Sequence, residues 1–150
     1  MPVISENYRA LNRSLHEKRP DYGAGTVTAR WFDSISKLAR QLGATSVLDY
    51  GCGKGAFARA CPHLNVANYD PALPSLSALP SPADFVVCLD VLEHIEPECL
   101  DDVLEDLRAL SKRLVFLVIS CRKAYKEADS IASQACVTAC TGTGRRRLGG

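Results

Sequence analysis

The chain has 150 residues, enough for one domain with one real core. Its 47% hydrophobic content fits a soluble globular protein, and no apolar run approaches the ~20 residues that span a membrane. A net charge of +1 gives no reason to expect a nucleic-acid partner, and the N-terminus carries no signal-peptide h-region, so a cytoplasmic protein is expected. In chain order, Asn7 to Glu17 reads as a short helix with Tyr8, Leu11 and Leu15 on one face. Residues 19–25 form a loop. Ala29 to Leu42 reads as a second helix, with Phe32, Ile35, Ala39 and Leu42 sharing a face and Gly43 placed as its cap. Ser46 to Tyr50 is a strand, Gly55 to Ala60 a short helix that stops near Pro62, and Asn65 to Tyr69 a second strand. Pro71, Pro74, Pro80 and Pro82 leave at most a brief strand in the next stretch.

Asp84 to Leu89 is the next clear strand. Pro97 suits the first turn of a helix carrying Glu98, Asp101 and Asp102 early, a buried stripe of Leu100, Val103, Leu104, Leu107 and Leu110, and Lys112 and Arg113 at its C-terminal end. Leu114 to Ile119 is almost wholly apolar, as expected for a strand buried on both faces. Alternating strands and helices predict an α/β, doubly wound, Rossmann-like fold with a mostly parallel sheet. Beyond Glu127 the composition turns to Ala, Ser, Thr, Gly and Arg. Residues 128–150 read as a disordered low-complexity tail, in which Arg145-Arg146-Arg147 is not a nucleic-acid patch.

The seven cysteines are scattered without a Cys-x-x-Cys pair. Cys52, Cys61, Cys88, Cys99 and Cys121 fall in predicted elements and read as small hydrophobes, and Cys136 and Cys140 do not make a metal site. Residues 43–121 hold five Lys/Arg against eleven Asp/Glu. That acidic middle suits a cationic ligand, although a solvated acidic helix accounts for much of it.

The stretch richest in chemistry runs Val47-Leu48-Asp49-Tyr50-Gly51-Cys52-Gly53-Lys54-Gly55. It is a strand turning sharply into a helix, with glycines where a ligand approaches the backbone. Fifteen residues later Asp70 ends a strand, where an acid can accept hydrogen bonds from both hydroxyls of a ribose. The dinucleotide fingerprint is Gly-x-Gly-x-x-Gly, whereas this pattern is Asp-x-Gly-x-Gly-x-Gly. An acid two residues before the first glycine repels a pyrophosphate and suits an ammonium and a sulfonium.

These residues resemble the first motif of the class I S-adenosylmethionine-dependent methyltransferases, and Asp70 matches that superfamily's ribose-binding acid. The run from Asp84 to Ile95, containing Val91-Leu92-Glu93-His94-Ile95, is similar to the motif at its fourth strand. The resemblance covers roughly residues 29–120. It implies a cofactor site for S-adenosylmethionine and its product S-adenosylhomocysteine, built from Asp49, Tyr50, Gly51, Cys52, Gly53, Gly55, Asp70, Pro71, Leu79, Leu89 and Asp90. Within it Asp49 and Gly51 hold the methionine end, and Ser77, Ala78 and Leu79 are candidates for the adenine wall. Asp49 capping the turn is the competing reading.

The same resemblance makes Asp90, Glu93 and His94 the catalytic candidates. His94 as a base, Glu93 and His94 as ligands of Mg²⁺, and a purely structural pair all stand open. The spacing is similar to that of small-RNA 2′-O-methyltransferases, which need a later histidine, and none follows His94. It is also similar to that of ubiquinone-pathway O-methyltransferases. Residues 1–127 are thus expected to form the methyltransferase-like domain, with 1–30 as a helical lid bearing Tyr8, His16, Tyr22 and Trp31. The superfamily closes its sheet with an antiparallel hairpin, for which the remaining length is too short and polar. The chain therefore reads as truncated or frame-shifted, and the Leu114–Ile119 edge as a homodimer surface. The expected function is methyl transfer to an unidentified acceptor; the alternative is an inactive cofactor-binding or interaction module.

Overall fold

The computed structural model describes residues 3–121. A 13-residue helix α1 (Glu6–Lys18) is capped by Ser5, whose side chain accepts the Tyr8 N–H. A loop then leads to a 3₁₀ turn at Thr28–Trp31 and to α2 (Phe32–Gln41). The single helix expected from Ala29 is therefore two pieces. α2 ends where the Ala44 N–H reaches the Ala39 carbonyl, with Gly43 in the expected cap position.

The sheet comprises β1 (Val47–Tyr50), β2 (Val66–Tyr69), β3 (Ala83–Leu89) and β4 (Ser111–Val118), all parallel, in the spatial order β2-β1-β3-β4. α3 (Ala56–Ala60) links β1 to β2, and α4 (Leu100–Leu110) links β3 to β4. The α/β Rossmann-like reading holds for the described residues. The expected absence of an antiparallel hairpin, the low-complexity tail, and Cys136 and Cys140 all concern residues outside them. No helix among the described residues is long and apolar enough to cross a membrane.

Alternation along the central strands builds two cores, one on each side of the sheet. Leu48, Tyr50, Val86 and Cys88 pack with Ile4 and with Val103, Leu107 and Leu110 of α4. Val47, Phe85, Val87 and Leu89 pack with Phe32, Ile35 and Ala39 of α2 and Phe57 of α3.

Four expectations need correction. Leu104 lies off the buried seam of α4 and is 41% exposed. Lys112 and Arg113 belong to β4, because the strand starts at Ser111 and carries an extra residue where Ala83 and Phe85 pair with Ser111 and Leu114. β4 is only half-buried, with Leu117 exposed, and Ile119 beyond its end is exposed too; β3 is its one partner among the described strands. Cys121 is likewise exposed, whereas Cys52, Cys61 and Cys88 are buried as expected. The proline-rich segment between β2 and β3 contains no strand.

Candidate functional site

The chain runs from β1 outward to β2 and then back across β1 to β3. The crevice at the carboxyl ends of β1 and β3 is therefore the topological switch point of the sheet, where ligands of open α/β folds bind. Three sharp backbone features meet there. Gly51 has φ 74°, and a Cβ on it would fall 2.5 Å from a methyl of Val91. Gly53 has φ 52°, and a Cβ there would lie 2.9 Å from the Gly23 carbonyl oxygen. Asp90 ends β3 at φ 56°, a left-handed conformation that non-glycine residues seldom adopt.

Above the crevice lies a cavity of about 260 Å³, near the lower end of small-molecule sites (~300–1,000 Å³). The strand ends form its floor. Its walls come from α1 and the loop at residues 21–28. The loop is held in place by named bonds. Lys54 N–H donates to the Gly23 carbonyl at 3.0 Å, and Lys54 Nζ donates to the carbonyls of Arg19 and Pro20 at 3.0 and 2.9 Å. Tyr22 donates its hydroxyl hydrogen to Asn12 Oδ1 at 2.6 Å, tying the loop to α1. α1 itself is anchored where Ser5 N–H and Oγ–H donate to the Glu96 carboxylate at 2.9 and 2.6 Å, and where Arg9 donates to the Pro71 carbonyl.

Two buried carboxylates dominate the floor. Asp70 is 7% exposed; its Oδ2 accepts the Gly53 N–H at 3.0 Å and its Oδ1 the Ala72 N–H at 2.9 Å. Asp49 is 4% exposed and has no hydrogen-bond partner among the described residues. Burial, reinforced by the charge of Asp70, pushes its pKa up to about 7. A cation brought beside it would favour its charged form. On the wall, burial pushes the His16 pKa down against the pull of Asp70, and its Nδ1 is buried without a hydrogen-bond partner among the described residues.

Of the residues expected at a site, Asp49, Gly51, Cys52, Gly53, Asp70, Pro71, Leu89, Asp90 and His94 line this cavity, as do Tyr8, His16 and Tyr22. Seven others lie elsewhere. Alternation along β1 turns Tyr50 to the opposite core, where its hydroxyl donates to Asp106 at 2.8 Å. Gly55 caps α3, beside Asn68. Ser77, Ala78 and Leu79 sit on the proline-rich segment outside the cavity lining, Leu79 at 86% exposure. Trp31 packs edge-on to Phe116. Glu93 turns away from its neighbour His94 because adjacent residues of a 3₁₀ turn point about 120° apart. Its Oε1 accepts the Ser120 N–H at 2.7 Å. The sequence reading did not single out Asn12, Asp21 or residues 26–28 as cavity residues. The glycines at 23 and 25 were the available signal, because Gly23 lies against Gly53. Among the described residues, no three His, Cys, Asp or Glu side chains gather into a metal-binding group.

A protein-family model described as a methyltransferase domain matches residues 22–135, more than half of the chain. No curated protein and no solved structure matches it.

Proposed function

The chain belongs to the class I S-adenosylmethionine-dependent methyltransferase superfamily, and from that premise we propose that it binds S-adenosylmethionine in the cavity over β1 and β3 and directs its methyl group to an acceptor. The observation that carries this reading is the Asp49 carboxylate, buried, lining the cavity and without a hydrogen-bond partner among the described residues. An α-ammonium group is a donor and a counter-charge for it, and members of the superfamily generally use a cofactor that carries one.

Asp70 suits the ribose. Each of its oxygens accepts one backbone N–H, which leaves a second acceptor site on each for a hydroxyl. Gly51 and Gly53 keep side chains out of the space between the loop and a ligand. When bound, the cofactor supplies a methyl group already activated by its sulfonium charge. The chain's own contribution is then mostly orientation. The loop at residues 21–28 and α1 would exclude water, the strand ends would hold the ligand, and His94, which lines the same cavity, would take a proton from the acceptor.

The test is calorimetric titration of the full chain with S-adenosylmethionine and S-adenosylhomocysteine, with Asp70→Ala as control. Micromolar binding that the variant loses supports the reading, and an acceptor screen with and without Mg²⁺ follows. A folded chain that binds neither ligand overturns it.

A further inference from the structure

The cavity is lined by Asp21, Asp49, Asp70 and Asp90, with His16 and His94, and by no lysine or arginine among the described residues. Lys54, Arg9 and Arg19, each beside a lining residue in sequence or contact, are committed elsewhere. Lys54 Nζ is held by the carbonyls of Arg19 and Pro20, Arg9 donates to the Pro71 carbonyl, and Arg19 lies 3.7 Å from Asp21 on the outer loop. S-adenosylmethionine carries one net positive charge, and Asp49 and Asp70 answer it at the ends of β1 and β2. That leaves Asp90 and His94 at the end of β3, on the other side of β1 from β2.

Asp90 has two properties that a merely structural residue does not need. Its backbone is held in the left-handed region by the sheet, its N–H donating to the Val118 carbonyl at 2.9 Å. Non-glycine residues in such conformations cluster at functional sites. Its carboxylate takes part in no hydrogen bond or ion pair among the described residues. A phosphate or carboxylate brought here would meet the Asp90 carboxylate with only imidazoles among the lining side chains to answer it. An amine meets acceptors and a favourable field.

We propose that the acceptor is an amine, held at the end of β3 by Asp90 and His94. This rests on the cofactor reading above and deepens it by naming the acceptor class. In the transfer, the lone pair of the neutral amine forms the new N–C bond, and the S–C bond breaks with its electron pair moving to sulfur. The methylated nitrogen then loses one proton, to His94 or to water. An amine that arrives as an ammonium loses one further proton before attack, by the same route.

The test uses the full chain and two ligands that differ at the reacting position. S-adenosylhomocysteine has a bare thioether there, and sinefungin carries an ammonium group in its place. We expect sinefungin to bind at least tenfold tighter by calorimetry. In Asp90→Asn that preference, taken as the ratio of the two affinities within the same variant, should fall at least fivefold. Asparagine tolerates the left-handed backbone, so the variant folds. In a second arm, the wild-type protein saturated with S-adenosylhomocysteine is titrated with n-butylamine, n-butyrate and n-butyl phosphate by saturation-transfer NMR, and only the amine should bind. An unchanged sinefungin preference in Asp90→Asn overturns the inference, as does binding of either anion as strong as that of the amine. Failure to bind S-adenosylhomocysteine overturns the cofactor reading instead, so the two failures are distinct.

Discussion

Asp70 Oδ2 accepts the backbone N–H of Gly53 at 3.0 Å, across 17 residues of sequence. One carboxylate therefore both shapes the glycine loop and faces the cavity. Asp70→Ala should remove cofactor binding and also free the amides of Gly53 and Ala72, each buried donor costing about 1–3 kcal/mol when left unpaired. Asp70→Asn keeps one acceptor oxygen and should lose less stability than affinity. Urea unfolding of both variants beside the titration separates the two effects. Equal stability of Asp70→Ala and wild type would refute the shaping role.

Asp49 gives the protein a pH signature. Its folded pKa is about 7 and its ordinary value 3.8. Between those values the folded state binds more protons than the unfolded chain, so the contribution of Asp49 to stability is complete below about pH 4. It declines as pH rises through about 7. The span corresponds to something on the order of 4 kcal/mol. Asp49→Asn should flatten this slope and be the more stable protein at pH 8. A cation bound to Asp49 should also expel its proton, so calorimetry at pH 7 in phosphate and in Tris should give different heats for wild type and matching heats for the variant.

Gly53 and Gly23 lie so close that a single methyl group is a probe of their contact. In Gly53→Ala the new Cβ meets the Gly23 carbonyl oxygen at 2.9 Å and the φ of 52° is strained for alanine. The strain alone costs roughly 1–2 kcal/mol, and the loop that walls the cavity must shift. We expect a lower melting temperature and at least tenfold weaker cofactor binding. Gly43→Ala is the control: it shares a positive φ of 60° but has nothing within 4 Å of its Cβ, so it should lose stability without losing affinity.

Glu93 should behave as a clamp between the turn after β3 and the end of β4. Glu93→Ala leaves the Ser120 N–H without its partner and should cost about 1–3 kcal/mol in denaturant midpoint experiments. Glu93→Gln keeps an acceptor there. Burial raises the Glu93 pKa, so its stabilising contribution is lost as pH rises through that raised value, and the glutamine variant should gain on wild type toward alkaline pH. A base or metal ligand, by contrast, would lose activity in Glu93→Gln with stability unchanged.

The sequence by itself determined the order of elements and the ends of the central strands. Alternation in Val47–Tyr50 and Ala83–Leu89 gives each strand two buried faces, and that requires helices on both sides. It also determined the glycine loop, because only glycine relieves backbone crowding where a strand turns directly into a helix. The floor of the cavity was legible for the same reason: Asp49, Gly51, Asp70 and Asp90 stand at strand ends, and strand ends are local properties. The direction of side chains beyond those ends was not local. Glu93 and His94 are neighbours in sequence, yet the turn sends one to Ser120 and the other to the cavity. Tyr50 sits inside the motif but faces Asp106. The half-exposure of β4 depends on which strand lies beside it, which no single segment encodes. Only the tertiary structure brought Gly23 against Gly53 and left Asp49 buried without a hydrogen-bond partner among the described residues, because both follow from where a loop 30 residues away closes over the strand ends.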